Sequence, residues 1–547
     1  MFAPLYIMTQ RGAILGIGTM PANDEGGSVM RRKLSRELAC GLTCAVLCGM
    51  TAFAQSPPNP NYVRQEIFSS YQEFKNELLT TVGIVDPTAR NAAVNSLWST
   101  LRTAGQVPYA QDDQVAFLYR GSASSVSWPG DFNGWNAGSA SWQGTQFPGT
   151  DLWIVEKSFP TDARLDYKVV LNGSNYILDP ANPLQMWGGF GPNNELRMPE
   201  YVFPQETVRQ ASVPRGTLTS NVTTFSSSLG YSVNHRVYTP AGYDTQNLSD
   251  LPVVYVTDGH EYAADHLGSM VVVLDNLIAS GELRPTMAVF IDPRDPSNQG
   301  NNRRFNEYNM NPNFANFVAN ELVPTIDGNF RTDATSTGRT ILGTSMGGLN
   351  AAYFGAVKGD VFQKIAPQSP AYNVNSAIYS LYQNKDLQFL DIFQTNGTFS
   401  GDGSGANQMA NVWTANDYAF TRTITNEGHS WGQWRGLLDD VLIGLIGPSP
   451  FSADFDNDVR VNASDLAVWQ GAYGTNAFAD ADGDGDSDGA DFLAWQRQIG
   501  SGIPLTAAST AVPEPSVGTL GLCCLAIVLG GPGRAARVLR TRFGEFR

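Results

Sequence analysis

The stretch ILGTSMGGLNAA, residues 341–352, contains a serine that could act as a nucleophile. Ser345 lies between Gly343 and Gly347 in the G-x-S-x-G spacing of a sharp strand-to-helix turn, which exposes the hydroxyl and aims helical amides at an oxyanion. The glycines are needed because a side chain at either position would clash where the backbone turns. A glycine-rich turn without chemistry is the alternative, since a serine attacks a carbonyl only when a base and oxyanion donors are nearby.

His429 is the histidine best placed to act as that base. It lies in NEGHSWGQW, after the last predicted strand and before the final predicted helix. A hydrolase of this type orders its residues as Ser, acid and His, which places the base after Ser345. We therefore expect His429 to take the serine proton. The other histidines of the chain all precede Ser345 and are His235, His260 and His266.

The carboxylate that orients His429 should follow the strand before the last one. The segment LDIFQTNGTFSGDG places Asp402 on such a loop, where it could hold the imidazole and stabilise its charged form. Two other carboxylates stay open: Glu427 lies two residues from His429, and Asp391 lies within the strand. Asp402 is the favoured acid.

An internal repeat carries most of the acidic residues. DFDNDVRVNASDLAVWQGAYG aligns with DADGDGDSDGADFLAWQRQIG at a 26-residue offset, and each copy leads from an oxygen-rich loop into a helix. Ten Asp and one Arg between Asp454 and Asp491 account for −9 of the net charge of −16, which leaves −7 for all other residues. We predict no nucleic-acid partner, although the local origin of the charge weakens that argument.

The repeated loops resemble the EF-hand-like loops of a dockerin type I pair, which implies structural calcium. Calcium takes oxygens at loop positions 1, 3, 5 and 12, a carbonyl at 7 and a glycine at 6. The second loop has Gly485 at position 6, whereas the first has Val459 and should bind calcium more weakly. An Asp-rich solvated linker is the alternative. The predicted calcium-binding residues are Asp454, Asp456, Asp458, Asp465, Asp480, Asp482, Asp484, Asp486 and Asp491.

Residues 204–446 alternate between apolar strands and helices. The candidate strands are PVVYVTD, TMAVFID, RTILG, KIAPQ and LDIFQT, and the candidate helices include residues 313–326, 346–357 and 434–446. Runs of Val and Ile that alternate with helices favour a mostly parallel α/β sheet. The strand RTILG then leads directly into the turn at Ser345.

Two other patterns precede this region. Residues 62–104 show helical spacing that is broken at Pro87, which predicts two helices with a packing role. Residues 114–202 show short strands between turn residues, which predict a small β-sandwich. PGDFNGW and YKVVLNGSNYILDPANP resemble early-set domains of glycogen-binding modules, and VAFLYRG and GTDLW resemble the N-terminal domain of enterochelin esterases. The tryptophans of the predicted sandwich could stack on a sugar or belong to the core. They are Trp128, Trp135 and Trp142.

The two ends of the chain carry patterns typical of export. MRRKLSRELACGLTCAVLCGMTAFAQ has a basic region, an apolar region and a small-x-small end, which predicts a start at Met30 and signal-peptide cleavage before Gln55. VPEPSVGTLGLCCLAIVLGGPGRAARVLRTRF resembles the PEP-CTERM sorting signal of Gram-negative bacteria, with an ordinary anchor as the alternative. All five cysteines lie in these ends, so the body between them should contain no disulfide.

Four further segments occur in the order of a known family. GTSMGG, NELVPTID, IAPQSPA and GHSWGQWRGLLDDVL resemble the esterase D-like family that includes enterochelin esterases and feruloyl esterases, over residues 213–446. The resemblance implies a Ser-His-acid α/β-hydrolase whose oxyanion hole uses the amide of Met346 and an amide at Gly259 or His260. The sequence departs from the family at the acid, since residues 399–401 separate Asp402 from a Gly-Thr pair.

The sequence thus predicts a multi-domain chain: an α/β-hydrolase with a mostly parallel sheet, preceded by a small β-sandwich and followed by a small α-helical calcium-binding repeat pair. The predicted divisions are a leader at 1–54, a helical segment at 55–110, an early-set sandwich at 111–205, an esterase domain at 206–447, a dockerin-like pair at 448–503, and a sorting and anchor segment at 504–547.

The expected function is that of an exported serine carboxylic-ester hydrolase without a catalytic cofactor, acting on feruloyl or acetyl esters of polysaccharide at the cell envelope, at the cell surface or outside the cell. Trp431 and Trp434 could flank an aromatic acyl group. The alternatives are a ferric siderophore esterase, a non-catalytic carbohydrate-binding or scaffold protein, and an acyltransferase with the same triad. The sequence leaves undecided whether a cohesin-like partner exists. Any membrane association would involve the two terminal segments.

Overall fold

Four differently built regions follow one another along the described chain: two helices, three small sheets, a large sheet covered by helices, and a helical repeat. The structure, a computed structural model, describes residues 58–501 except 190, 247, 449–450 and 457–459. Of the two units into which the chain divides, Met1–Ala54 lies outside the described residues. The predicted signal peptide and the PEP-CTERM-like segment therefore lie outside them as well.

Two helices come first, and they confirm the break predicted at Pro87. α1 is Tyr71–Val82, and the Ser70 side chain caps its first turn. α2 is Pro87–Thr103, and the Asp86 side chain caps it in the same way. Pro87 suits the first position of a helix because that position has no intrahelical acceptor for an amide.

Ten short strands follow and form three small sheets. They are β1 Tyr109–Gln111, β2 Gln114–Arg120, β3 Val126–Ser127, β4 Thr145–Gln146, β5 Leu152–Ser158, β6 Arg164–Tyr167, β7 Val169–Leu171, β8 Asn175–Ile177, β9 Gln185–Gly188 and β10 Gly191–Arg197. The strand orders are β1-β2-β5-β4, β6-β10-β9 and β3-β7-β8. Every pair of neighbouring strands is antiparallel.

Aromatic residues join these small sheets in one core. Trp128 is fully buried and Trp142 is 7% exposed; both pack against Phe117, and Trp142 also stacks on Phe132. Trp135 is half-buried and donates a hydrogen bond to Asp131. Two of the three tryptophans considered for sugar stacking are thus core residues.

The middle of the chain builds a nine-stranded sheet. Its strands are β11 Thr217–Leu218, β12 Val222–Ser226, β13 Tyr231–Thr239, β14 Val253–Val256, β15 Met287–Asp292, β18 Arg339–Thr344, β19 Lys364–Gln368, β20 Asp391–Gly397 and β21 Phe420–Thr425; the short strands β16 Arg294–Asp295 and β17 Asn298–Asn302 pair separately. The order is β11-β13-β15-β14-β18-β19-β20-β21, with β12 on β13. The strands from β15 to β21 in this order are parallel, which confirms the mostly parallel sheet.

Helices cover both faces of this sheet. They are α3 Gly259–Tyr262, α4 Met270–Ala279, α5 Arg304–Tyr308, α6 Pro312–Phe317, α7 Val323–Asn329, α8 Met346–Lys358, α9 Ala377–Gln383, α10 Gly403–Ala415, α11 Trp431–Gly436 and α12 Leu438–Leu445. A π-helical turn, Val318–Leu322, joins α6 to α7 within the predicted helix 313–326. The prediction of one helix at 434–446 was wrong, because the helix begins at Trp431 and breaks at Leu437.

The sheet separates two apolar cores. Along β14, Val253 and Tyr255 belong to one core, and Val254 and Val256 belong to the other. This alternation follows from the two-residue period of a strand. Because both faces are covered, the strands read as continuous apolar runs in the sequence.

The repeat near the end of the chain forms two helices, α13 Ala463–Ala472 and α14 Gly489–Gln498. The two copies are joined by reciprocal hydrogen bonds. The Trp469 indole N–H donates to the Asp488 carbonyl and the Trp495 indole N–H donates to the Asn462 carbonyl, each at 2.8 Å. Within the described residues, none of the helices has the length and apolar character needed to span a bilayer.

Candidate active site

The turn between β18 and α8 holds Ser345 in a strained backbone conformation. Its φ is 59° and its ψ is −116°, which is rare for a residue other than glycine. A Cβ atom added to Gly343 or Gly347 would lie 2.1 or 2.5 Å from the Thr257 hydroxyl. The glycines of the motif are therefore required by close packing, as the sequence predicts.

The predicted site residues lie at the same edge of the sheet. Ser345 follows β18, His429 follows β21, Asp402 follows β20 and Gly259 follows β14. These strands run parallel in the order β14-β18-β19-β20-β21. Their carboxyl ends therefore meet along one edge, which is where ligand sites occur in open α/β sheets.

His429 and Asp402 face each other across neighbouring loops. The distance from His429 Nδ1 to Asp402 Oδ1 is 3.9 Å, and the side chains are 32% and 6% exposed. Nδ1 of His429 and Oδ2 of Asp402 are buried atoms without a hydrogen-bond partner. Catalytic hydrogen bonds are often long without substrate, so this spacing suits an imidazole that tightens onto a carboxylate.

The Asp402 carboxylate is fixed from its own loop. The Ser400 hydroxyl donates to Asp402 Oδ1 and also to the Gly397 carbonyl, the latter at 2.7 Å. The residues that set this sequence apart from the family pattern thus provide a hydrogen bond to the predicted acid.

The two other candidate acids lie elsewhere. Glu427 is buried beside Arg164, with Oε2 3.5 Å from the guanidinium Nη1, and burial raises its pKa to about 7. Asp391 is the first residue of β20 and is exposed at the amino end of that strand, away from the edge that carries His429. The geometry therefore favours Asp402 over both.

Backbone amides suited to an oxyanion hole flank Ser345. Met346 is the first residue of α8 and Gly259 the first of α3, where helical amides have no intrahelical acceptor. A Cβ atom at Gly259 would come within 2.3 Å of the Phe290 carbonyl carbon. The His260 side chain faces Asp292, with Nδ1 3.4 Å from Oδ1.

Arg304 supports the nucleophile turn and was not predicted. Its Nε donates to both carboxylate oxygens of Asp258, at 2.8 and 2.9 Å, and its Nη2 donates to the Thr344 carbonyl at 3.0 Å. Arg304 thereby ties the residue before Ser345 to the residue before Gly259. The sequence contains no local signal for it, because these contacts join distant segments.

Arg164 of β6 holds the loop that carries His429, and it was not predicted either. Its backbone amide donates to the Asn426 carbonyl at 3.1 Å, and its Nη1 donates to the Ser430 hydroxyl at 2.9 Å. Arg164 and Glu427 also form a parallel β-bridge. The loop with the predicted base is thus built partly on the small-sheet region.

Three carboxylates compensate the buried Arg164 charge. The guanidinium lies 2.5 Å from Asp166, 2.6 Å from Glu195 and 3.5 Å from Glu427. Burial opposes ionisation of the guanidinium, but these carboxylates raise the pKa of Arg164 above its usual value. The group therefore stays charged although its side chain is fully buried.

Two tryptophans of the site motif are largely buried. Trp431 is 3% exposed and Trp434 is 7% exposed, and their rings contact edge to face at 5.1 Å. Trp434 also meets the His429 ring edge to face at 5.0 Å, and Trp431 meets Tyr262 at 4.8 Å. Both rings support the His429 loop from the protein interior, and their contact with an acyl group stays a prediction.

The Asp-rich loops bring carboxylates together. Two groups have oxygen atoms within 4.8 Å of one another, Asp454, Asp456 and Asp465 in the first loop, and Asp480, Asp482 and Asp491 in the second; Asp486, Asp488 and Asp491 form a third group. Gly485 has a φ of +96°, as position 6 of such a loop requires.

These loops fit a cation that takes only oxygen ligands. The neighbouring Asp484 carboxylate raises the pKa of the exposed Asp486 side chain, because the two negative charges repel each other. A bound cation of the calcium type would relieve that repulsion. Two predicted calcium ligands are missing from these groups. Asp484 does not converge with the other described carboxylates, and Asp458 lies outside the described residues.

Comparison with known proteins identifies esterases as relatives. Residues 226–445 match the family described as "Putative esterase". Over 238 residues the chain is 25% identical to the uncharacterised protein YjcH of Bacillus subtilis, covering 41% of this chain and 95% of that protein. Over 135 residues it is 32% identical to an endo-1,4-beta-xylanase/feruloyl esterase of Xylanibacter ruminicola, covering 23% of this chain and 18% of that protein.

Solved structures of enterobactin esterases share the fold. The structure from Shigella flexneri aligns with a TM-score of 0.51 at 20% identity, over 61% of this chain and 92% of that chain. The structure from Salmonella typhimurium aligns with a TM-score of 0.51 at 18% identity, over 61% and 93%. The aligned share exceeds residues 226–445, so the common architecture extends beyond the family segment.

Proposed function

Residues 226–445 of this chain match the family described as "Putative esterase", and from that premise we propose that the chain hydrolyses carboxylic esters with Ser345 as the nucleophile. One observation carries the proposal: Ser345 occupies a strained turn between a parallel strand and a helix. Strain of this kind persists only where surrounding structure enforces it, and it exposes a hydroxyl at the sheet edge.

In the proposed reaction, Ser345 Oγ attacks the ester carbonyl carbon and passes its proton to His429. Asp402 lies on the Nδ1 side of the imidazole, which leaves Nε2 to receive that proton. Asp402 also stabilises the imidazolium that forms. The Met346 amide and an amide at Gly259 or His260 stabilise the oxyanion of the tetrahedral intermediate.

The intermediate then collapses in two steps. The carbon–oxygen bond to the alcohol breaks, and the alcohol leaves with the proton from His429. Water attacks the acyl-enzyme with His429 as the base, and the acid product leaves as Ser345 regains its proton. This chemistry uses side chains and amides of the chain and needs no catalytic cofactor.

We propose feruloyl or acetyl esters on polysaccharide as the substrates, cleaved outside the cytoplasm. The export patterns at both ends of the sequence and the relative named endo-1,4-beta-xylanase/feruloyl esterase support this choice. A ferric siderophore ester is the second candidate, favoured by the fold shared with enterobactin esterases. A non-catalytic scaffold and an acyltransferase are the remaining alternatives.

Hydrolysis of p-nitrophenyl acetate tests the nucleophile. Wild-type protein should release p-nitrophenol and Ser345→Ala should not, whereas Ser380→Ala, at an exposed position on α9, should match the wild type. Folded wild-type protein without any product would exclude an esterase and leave the scaffold alternative. Methyl ferulate, acetylated xylan and ferric enterobactin then separate the substrate classes, and a sugar acceptor reveals acyl transfer.

The Asp-rich repeat is proposed to hold calcium in a structural role. Asp480, Asp482 and Asp491 would provide oxygen ligands in the second loop, and Asp454 and Asp465 in the first. Calcium should raise the thermal midpoint of the repeat, and Asp491→Asn should remove most of that gain. If calcium does not change the thermal midpoint, the repeat would be a solvated acidic segment rather than a calcium site. A cohesin-like partner would bind this pair.

A further inference from the structure

A groove lies between residues 60–68, the strand β1 and residues 197–205. Its volume is about 510 Å³, within the roughly 300–1,000 Å³ of small-molecule sites. Tyr62, Phe68 and Phe203 contribute ring surfaces to its lining. Arg64, Arg197 and Gln106 line it as well, and these six residues define the arginine groove.

Three polar side chains of the arginine groove have buried atoms without a hydrogen-bond partner among the residues that the structure describes. They are Nε and Nη1 of Arg64, Nε of Arg197 and Oε1 of Gln106. Such atoms are uncommon in folded proteins, because a buried polar group without a partner is energetically unfavourable. Their convergence on one groove indicates that a ligand supplies the missing partners.

The other ends of two of these side chains are held in place. Arg197 donates Nη1 to the Asn59 carbonyl at 3.0 Å and Nη2 to Glu195 at 2.8 Å. Gln106 donates Nε2 to the Gln65 carbonyl at 3.1 Å. The unpaired atoms are therefore fixed in position before a ligand arrives, which lowers the entropy lost on binding.

Arg64 differs from Arg197 because no carboxylate forms an ion pair with it in the described part of the chain, although Glu66 and Asp112 also line the groove. Burial lowers its pKa to about 10, and the nearby Arg197 charge acts in the same direction. An anion would relieve both effects. Nε–H of a guanidinium is parallel to an Nη2–H and not to Nη1, so the free Nε and Nη1 of Arg64 each offer a carboxylate oxygen a single charge-assisted hydrogen bond.

We propose that the arginine groove binds a carboxylate-bearing sugar, a uronate residue of a polysaccharide, with its carboxylate on Arg64. The free acceptor Oε1 of Gln106 requires a donor such as a sugar hydroxyl. The ring surfaces of Tyr62 and Phe68 suit the apolar C–H face of a sugar ring. The choice of a polysaccharide as the source of the uronate rests on the proposed function; the anion site itself does not.

Binding should be measured with a protein that cannot turn over substrate. In the Ser345→Ala background, affinity gel electrophoresis with polygalacturonate should retard the protein, and a neutral unsubstituted xylan should not. Arg64→Ala and Arg64→Gln should each weaken binding about tenfold or more, since a hydrogen-bonded ion pair is lost. Arg102→Ala removes an exposed charge from the neighbouring helix and should bind like its parent.

Circular dichroism verifies that each variant is folded. Equal retardation of Arg64→Gln and its parent would overturn the proposal, as would equal retardation by xylan and polygalacturonate. Competition by free ferulate but not by galacturonate would assign the groove to an aromatic acid and would also overturn it. Because this assay involves no hydrolysis, an inactive wild-type enzyme would contradict the proposed function and leave the uronate site standing.

Discussion

Arg164 and Arg64 show two outcomes for a guanidinium that folding buries, in full for Arg164 and in part for Arg64. Arg164 is fully buried and lies within 3.5 Å of three carboxylates, which raise its pKa. Arg64 has buried Nε and Nη1 atoms without a partner, and burial lowers its pKa to about 10. Both belong to the region that precedes the nine-stranded sheet.

We interpret the Arg164 charge as structural and the Arg64 charge as one that a ligand would pair with. Removing one member of a buried, paired network leaves uncompensated charge and strongly destabilises a protein, whereas an unpaired buried charge is a cost already present in the fold. Arg164 should therefore be essential for stability and for the His429 loop, and Arg64 should be dispensable for both. Four predictions test this contrast, from the largest expected effect to the smallest.

Arg164→Ala should have the largest effect. It leaves the carboxylates of Asp166, Glu195 and Glu427 without their shared positive partner, so we expect a loss of about 3–5 kcal/mol in the free energy of unfolding. Because the loop at Ser430 loses its anchor, kcat on p-nitrophenyl acetate should fall about 100-fold while KM changes little. Chemical denaturation and steady-state kinetics measure the two effects.

Two further variants keep this prediction testable if Arg164→Ala does not fold. Arg164→Lys retains the charge but not the planar fork, and should give an intermediate loss of kcat. Arg120→Ala removes a pair with Asp151 that is partly exposed, and should cost about 1 kcal/mol or less. A kcat of Arg164→Lys equal to that of the wild type would contradict the role in positioning His429.

Gly432→Ala tests how closely α11, the helix after His429, approaches Arg164. The added Cβ atom would lie 2.0 Å from Arg164 Cζ, and this guanidinium cannot move without breaking its ion pairs. We expect a loss of about 1–3 kcal/mol, visible in thermal unfolding, and a lower kcat. Gly328→Ala is the matched control, because its Cβ atom would meet nothing within 4 Å. Equal stability of the two variants would show that the junction is loosely packed.

Glu427→Gln should reveal the pH dependence of this cluster. Burial raises the pKa of Glu427 to about 7 in the folded protein, from an ordinary value of 4.5. A carboxyl group with a raised folded pKa loses stability as the pH rises from the unfolded to the folded pKa, here from about 4.5 to about 7. A neutral Gln does not titrate, so the variant should gain stability relative to the wild type over that window.

The gain of Glu427→Gln should be on the order of 1 kcal/mol between pH 5 and pH 8. Denaturation curves at both pH values measure it. A difference between the two proteins that is independent of pH would mean that Arg164 keeps Glu427 ionised throughout, contrary to the expected neutral form.

The catalytic candidates could be predicted from the sequence because their signals are local. Ser345 follows from a strand, two glycines and a helix, and His429 and Asp402 follow from their places after strands. Arg164 could not be predicted, because it contacts Ser430 from 266 residues away in the chain. The alternating pattern of β6 assigns Arg164 and Asp166 to one face, but it does not show that the His429 loop buries that face.

The aromatic motif shows the same limit. Trp431 and Trp434 look like substrate contacts in the sequence because they adjoin His429, yet both are at least nine-tenths buried. The break at Leu437 likewise follows from how α11 and α12 pack, since the residues from 434 to 446 have continuous helical spacing. Local patterns therefore place residues near the site, and tertiary contacts decide what each of them does there.

Arg64→Ala should have the smallest effect on the fold, and its sign should oppose that of Arg164→Ala. The substitution removes a guanidinium that burial disfavours and that has no ion pair in the described residues. The free energy of unfolding should therefore stay the same or rise by up to about 1 kcal/mol. Thermal unfolding without ligand measures this, with Arg102→Ala as the control for the loss of one positive charge. Adding polygalacturonate should then raise the thermal midpoint of the parent and leave that of Arg64→Ala unchanged, because a ligand stabilises only the state that binds it. A loss of several kcal/mol in Arg64→Ala would make Arg64 a structural residue like Arg164 and would end the distinction between the two.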